Sequence, residues 1–129
     1  MKRILVLLCV AAVISLSGCN GNNSTISAQG TIQLNDGQKW KVDPPMLQHI
    51  TAMETAIDNF GPGEEISTLK STLTDNLKGL TSKCTMQGQA HDELHKWLVP
   101  LMETVDTMDS NKSIERLKHD FEIFHTFFE

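Results

Sequence analysis

Residues 66–84 read ISTLKSTLTDNLKGLTSKC, and the spacing of the apolar side chains in this stretch decides the fold. These side chains recur every three or four residues, which places them on one face of an α-helix. They are Ile66, Leu69, Leu73, Leu77, Leu80 and Cys84. The pattern therefore predicts an amphipathic helix that buries one face and ends close to a thiol.

Three other segments show the same period. One begins at Asp43-Pro44-Pro45, where an acidic N-cap is followed by prolines in the first turn. The three apolar stripes are Met46, Ile50, Met53, Ile57 and Phe60; Ala90, Leu94, Leu98, Leu101 and Val105; and Ile114, Leu117, Phe121, Phe124 and Phe128. Four such helices with short links predict an all-α, up-down-up-down four-helix bundle over residues 43–129. Trp97 falls outside the third stripe, so we expect it to be exposed and available to a protein partner.

Two segments precede the predicted bundle. Residues 19–30 are rich in Asn, Gly, Ser and Thr, which is typical of a flexible tether. In residues 31–42, apolar side chains alternate with polar ones on both sides of Asp36-Gly37. That dipeptide favours a two-residue turn, so a short β-hairpin is predicted, packed on the helices through Trp40.

The first eighteen residues have the layout of a secretory signal peptide. Lys2 and Arg3 precede an apolar run that is too short to span a bilayer as a mature helix. The run ends in Leu16-Ser17-Gly18-Cys19, which resembles a bacterial lipobox. The resemblance implies cleavage before Cys19 and its acylation (palmitate and related chains). We therefore expect a lipoprotein of the cell envelope, in the outer membrane and facing the periplasm, that is held at the membrane by its lipid anchor.

Composition and motifs exclude several classes of function. The 129-residue chain is 21% charged with a net charge of −5 and has no basic cluster, so nucleic acid is a poor partner. There is no Gly-rich phosphate loop, nucleophile elbow or kinase motif set, so no enzymatic activity is expected. After cleavage and acylation, Cys84 is the only free thiol of the chain.

The predicted topology gathers metal-ligating residue types at one end of the bundle. The starts of the first and third helices share that end with the last turns of the second and fourth. The residues placed there are Cys84, Met86, His91 and His95, with Met46, His49 and His125 as possible additional ligands. Because His91 and His95 are four residues apart on a helix, both can face one ion.

Imidazole, thiolate and thioether suit copper first and zinc next, so one hypothesis is a site for a soft or borderline metal. An alternative is a structural or interaction lipoprotein with no ligand, which binds an envelope protein partner. In that case Cys84 is a buried inert thiol, and the histidines lie at the margin of their helix face. A third hypothesis is non-covalent haem, held between a Met or His of the first helix and a His of the fourth.

The segment KCTMQGQAHDELHKWL, residues 83–98, resembles a segment of small uncharacterised lipoproteins of Bacteroidota-type bacteria. Residues 34–42, LNDGQKWKV, are similar to the stretch that precedes the first helix in that group. The resemblance implies a periplasm-facing or surface lipoprotein with a helical body. The group's recurring C-T-M-x-G-x-x-H-x-x-x-H pattern coincides with Cys84, Met86, His91 and His95, although it identifies no ligand.

Overall fold

The structure, a computed structural model, describes residues 26–27 and 30–129. The predicted signal peptide and Cys19 lie outside these residues. The secondary-structure elements, in chain order, are β1 (Ile26–Ser27), β2 (Gly30–Thr31), α1 (Pro44–Asn59), α2 (Ile66–Ser82), α3 (Gly88–Thr107) and α4 (Asn111–Phe127). Each of the four predicted helices is present, and its apolar stripe supplies most of its buried residues.

The four helices form the predicted all-α four-helix bundle. Helix α1 packs against α2 and α4, and α3 packs against the same two helices. Short links join consecutive helices, so the chain runs up, down, up and down. The starts of α1 and α3 therefore share one end of the bundle with the ends of α2 and α4. We call it the entry end, because residues 30–42 lead into α1 there.

The core is one cluster of buried apolar side chains that all lie between Ile32 and Phe128. The side chains of Met46, Leu80, Leu94 and Leu117 are fully buried in it. At roughly 25 cal/mol for each Å² of apolar surface removed from water, a buried Leu or Met contributes about 2 kcal/mol. Every core side chain that the structure describes therefore lies in the chain from residue 20 onward.

The link between α1 and α2 shows why these helices end where they do. Residues 61–63 read Gly-Pro-Gly, and Gly63 has a φ of 94°, which lies in the left-handed region that glycine tolerates. The backbone N–H of Gly61 donates to Glu64 Oε2 at 2.8 Å. The chain thus reverses within a few residues, which places α2 antiparallel to α1.

The predicted turn at Asp36-Gly37 is present, but the hairpin around it is short. Both residues have positive φ angles, and Asn35 pairs with Gln38 through two 2.9 Å backbone hydrogen bonds. The second arm then pairs with the end of the chain. Trp40 N donates to Phe127 O and Val42 N donates to Glu129 O, both at 2.8 Å. Sequence alternation indicates an extended segment but does not identify its partner strand.

The predicted tether has ordered backbone pairing at its boundary. Strands β1 and β2 are antiparallel, with Ile26 opposite Thr31 and Ser27 opposite Gly30, and β1 lies near α3. The following segment is fixed to the bundle, because Ile32 is buried and Trp40 Nε1 donates to Gln33 O at 2.6 Å. Trp40 is itself buried, as predicted.

The expectation of an exposed Trp97 is wrong. Its side chain is only 3% exposed and contacts two aromatic rings of α4, with centroid distances of 5.8 Å to Phe121 and 4.8 Å to Phe124. Its Nε1 donates to Asp120 O at 2.7 Å. The buried face of α3 is wider than the predicted stripe because two helices and the segment after β2 all contact α3.

Candidate functional site

His91 and His95 lie on neighbouring turns at the start of α3, on the entry end of the bundle. Their ring centroids are 4.2 Å apart, with an angle of 51° between the ring planes. The His91 side chain is half-buried and that of His95 is exposed. The spacing of four residues thus places the two imidazoles in contact.

The other three histidines each have a hydrogen-bond partner. Nδ1 of His49 donates to Asn76 Oδ1 at 3.1 Å, His119 contacts Glu122 at 3.2 Å, and His125 Nε2 contacts Glu54 at 2.8 Å. Within the described ranges, neither ring of the His91–His95 pair has a hydrogen-bond or ion-pair partner. Their nitrogens are therefore the ones that remain available to a ligand.

Cys84 and Met86 flank the end of α2 and the link to α3. Both are half-buried and pack against the hydrophobic core, and Cys84 is a free thiol. Across residues 26–27 and 30–129, no three side chains of His, Cys, Asp or Glu are grouped so that they could hold a metal ion. The structure thus brings His91 and His95 together and does not add Cys84 to them as a third ligand.

The three additional ligands suggested by topology contact other groups. Met46 is fully buried in the core. The His49 ring packs on Gly79 of α2 and hydrogen-bonds Asn76, while His125 joins α4 to Glu54 of α1. These side chains connect helices to one another, and the structure does not place them in a common site with the His91–His95 pair.

A buried ion pair on α3 was not predicted from the sequence. The side chain of Glu93 is 6% exposed, and its Oε1 lies 2.7 Å from Lys96 Nζ. Glu93 Oε2 accepts a hydrogen bond from Gln33 N at 2.8 Å, and Lys96 Nζ donates to Thr31 O at 3.2 Å. The pair therefore fixes the segment after β2 on α3. The i, i+3 spacing of opposite charges was the available signal, although it is equally common on exposed helix faces.

A second polar contact closes the entry end beside Cys84 and Met86. Asp43 precedes α1, yet its side chain makes no hydrogen bond to the start of its own helix. Its Oδ2 accepts hydrogen bonds from the hydroxyl and the backbone N–H of Thr85 at 2.6 and 2.9 Å. The hydroxyl bond first, and then the N–H bond, lowers the pKa of Asp43. The acid was predicted as a helix cap; in the structure it connects α1 to the α2–α3 link.

The pKa of Asp120 on α4 is shifted in the opposite direction to that of Asp43. Burial raises the pKa of its carboxyl, while the nearby charges of Arg116 and His119 act in the other direction. Its Oδ2 is buried and has no hydrogen-bond partner in the part of the chain that the structure describes. An unpaired buried carboxyl oxygen disfavours the charged form.

Several surface cavities lie away from the histidine pair, among them one of about 800 Å³ beside Thr104, Ser110 and Arg116. One of about 490 Å³ is lined by Phe60, Ile66 and Ile114, and another of about 260 Å³ lies between α1 and α4 beside Glu54 and His125. The arrangement at His91 and His95 can offer two imidazole nitrogens at an open surface. It resembles a chelating surface rather than an enclosed pocket.

Fold and site together define a four-helix bundle with two contacting histidines near one end, whose rings have no hydrogen-bond partner among the described residues. No protein-family model, curated protein or solved structure matches this chain. The resemblance to small Bacteroidota-type lipoproteins remains a prediction from the sequence. Among the described helices, none combines the length and apolar character that a membrane-spanning segment needs.

Proposed function

We propose that this protein is a lipid-anchored protein of the cell envelope that binds a soft or borderline metal ion, copper first and zinc next, through His91 and His95. The observation that supports this most directly is the contact between two imidazole rings whose nitrogens have no partner among the described residues. Imidazole is a preferred ligand of both copper and zinc.

The proposed chemistry needs both rings in their neutral form. Because protons compete with the metal for the ring nitrogens, binding weakens as pH falls.

The anchor is proposed from the lipobox-like sequence that ends at Cys19. Its test is the mass of the protein recovered from membranes, compared with a Cys19→Ala variant. We expect the mass of a chain that begins at residue 19 and carries acyl groups, and loss of both cleavage and acylation in the variant. An unmodified Cys19 in the mature chain would contradict the anchor and leave the metal proposal standing.

The metal proposal is tested on the chain from Asn20, titrated anaerobically with Cu(I), Cu(II) or Zn(II) against a chromophoric competitor. We expect one tight site per chain, and at least tenfold weaker binding in His91→Ala and His95→Ala, because each removes half of the chelate. His119→Ala is the matched control, since it removes an exposed histidine that contacts Glu122. Equal binding by the wild type and the double variant His91→Ala/His95→Ala would contradict this function.

The second proposed function is a structural or interaction lipoprotein that has no ligand. It is favoured by the packing of Cys84 and Met86 against the core, which gives both residues a structural role. In that case Cys84→Ser lowers the melting temperature, and neither the wild type nor His91→Ala/His95→Ala binds copper or zinc tightly. An envelope protein partner then becomes the object of the search, for example by crosslinking the anchored protein in intact cells.

A further inference from the structure

One exposed face of α3 continues from the histidine pair toward the other end of the helix. His91, His95, Val99 and Met102 follow one another at steps of four, four and three residues, so they lie on the same side of α3. His95 and Met102 are exposed, and the other two are half-buried. Met102 is 40% exposed, and Leu34 is the other large exposed hydrophobic residue of the described ranges.

The chelate on this face is incomplete as a metal site. Copper and zinc sites in proteins generally use three or four ligands, and among the described residues the structure groups two such side chains here. Met102 of the same copy lies seven residues beyond His95, about 10 Å along the helix, which is too far for it to join their chelate.

We propose that two copies of this chain associate through this face of α3, and that Met102 of each copy completes the copper coordination by His91 and His95 of the other. The inference rests on the proposed metal binding. The two copies are related by a two-fold axis perpendicular to α3 at the level of residues 97 and 98. This axis makes the α3 helices of the two copies antiparallel. It sets each Met102 opposite the turn between the partner's two histidines, so one dimer has two equivalent sites.

The ligand types make this association selective for the metal. A thioether is a soft ligand that favours Cu(I), whereas zinc sites in proteins use Cys, His and carboxylate groups. Cu(I) therefore gains the third ligand from the second copy and links the two chains. Zn(II) binds to the two imidazoles of one copy and completes its coordination with water.

The experiment is anaerobic sedimentation velocity of the chain from Asn20, alone, with one equivalent of Cu(I), or with one equivalent of Zn(II). We expect a monomer alone and with Zn(II), and a dimer with Cu(I). Met102→Leu keeps the apolar bulk and removes the sulfur, so it should abolish the dimer and weaken Cu(I) binding at least tenfold. Met108→Leu is the matched control, because Met108 is a buried thioether at the opposite end of α3 from the histidines.

A mixture of two inactive variants gives a sharper test. His91→Ala/His95→Ala lacks the chelate and Met102→Leu lacks the thioether, so neither forms a Cu(I)-linked dimer by itself. Mixed in equal amounts, they can form one complete site per heterodimer. We expect a dimer with one bound Cu(I), which a role of Met102 in folding alone would not produce.

The outcomes separate this inference from the function on which it rests. Tight Cu(I) binding by a monomer would overturn the inference and leave the metal proposal intact. Loss of Cu(I) binding in Met86→Leu, with Met102→Leu unchanged, would overturn it in favour of a ligand from the same chain. Absence of Cu(I) binding by the wild type would overturn both.

Discussion

Asp43 and Thr85 are 42 residues apart in sequence, and two hydrogen bonds join them at the entry end of the bundle. One carboxylate oxygen accepts from both the hydroxyl and the backbone N–H of Thr85. The contact connects the start of α1 to the link between α2 and α3, directly before the segment that carries Met86 and the histidine pair. The position of that segment therefore depends on a side chain from the beginning of the bundle.

The first prediction concerns the pH dependence of this contact. Because the folded-state pKa of Asp43 lies below its unfolded value of about 3.8, its contribution to stability is present above pH 4. That contribution is lost as pH falls through the folded pKa. We expect Asp43→Asn to lower the urea midpoint at pH 6. Between pH 4 and 2 the variant should lose less stability than the wild type, because it has no carboxylate at position 43 to protonate. Asp58→Asn, at an exposed carboxylate, is the control and should leave the acid limb unchanged.

The helices and their order could be predicted because spacing along the chain is a local signal. The stripe from Met46 to Phe60 defines α1, and the Gly-Pro-Gly that follows it marks the link. The same local signal placed His91 and His95 on one face of α3, since four residues make just over one helical turn.

The remaining features depend on partners that are distant in sequence. Trp97 is buried because α4 supplies Phe121 and Phe124, and no helical period on α3 alone indicates that. Glu93 is buried because Gln33 supplies a backbone N–H, and His125 is engaged because α1 places Glu54 beside it. Residue type located the candidate ligands at one end, but only packing determines which of them are free.

The second prediction tests the buried ion pair. Lys96→Met leaves the buried carboxylate of Glu93 with only the backbone N–H of Gln33, and we expect the free energy of unfolding to fall by about 2–3 kcal/mol. The double variant Glu93→Leu/Lys96→Met removes both charges and should recover much of that loss, since apolar replacements of buried pairs are often well tolerated. Urea unfolding at pH 7 provides the measurement. A Lys96→Met protein as stable as the wild type would show that the pair contributes nothing.

The third prediction concerns the close approach of α1 and α2 at Gly79. A Cβ added there would lie 2.9 Å from Nδ1 of His49 and nearer still to other atoms of the ring. Glycine to alanine inside a helix normally stabilises by up to about 1 kcal/mol, but here we expect Gly79→Ala to destabilise by roughly 1–3 kcal/mol through overpacking.

A double variant separates these two effects. In His49→Ala/Gly79→Ala the ring is gone, so the added methyl should make this protein more stable than His49→Ala alone. Thermal unfolding of the four proteins completes the cycle. If Gly79→Ala lowers the melting temperature as much in the His49→Ala background as in the wild type, the contact between these two residues does not explain why position 79 is glycine.

The last prediction concerns Asp120, whose folded-state pKa is shifted in the opposite direction to that of Asp43. Its folded-state pKa is raised above the unfolded value by burial, so its contribution is most favourable below about pH 3.8 and is lost as pH rises through the folded pKa. Asp120→Asn removes the charge and keeps the shape. We therefore expect the variant to be more stable than the wild type at pH 7, and the difference to vanish near pH 3.

Glu115→Asn is the control, because this exposed carboxylate lies on the same helix. Urea unfolding at several pH values between 3 and 7 measures both variants. Suppose that the free energy of unfolding of Asp120→Asn differs from that of the wild type by the same amount at every pH from 3 to 7. That result would mean that the charge of the buried Asp120 side chain does not cause the difference. The gain would then come from the backbone or from packing around Trp97, whose Nε1 donates to the carbonyl oxygen of the same residue.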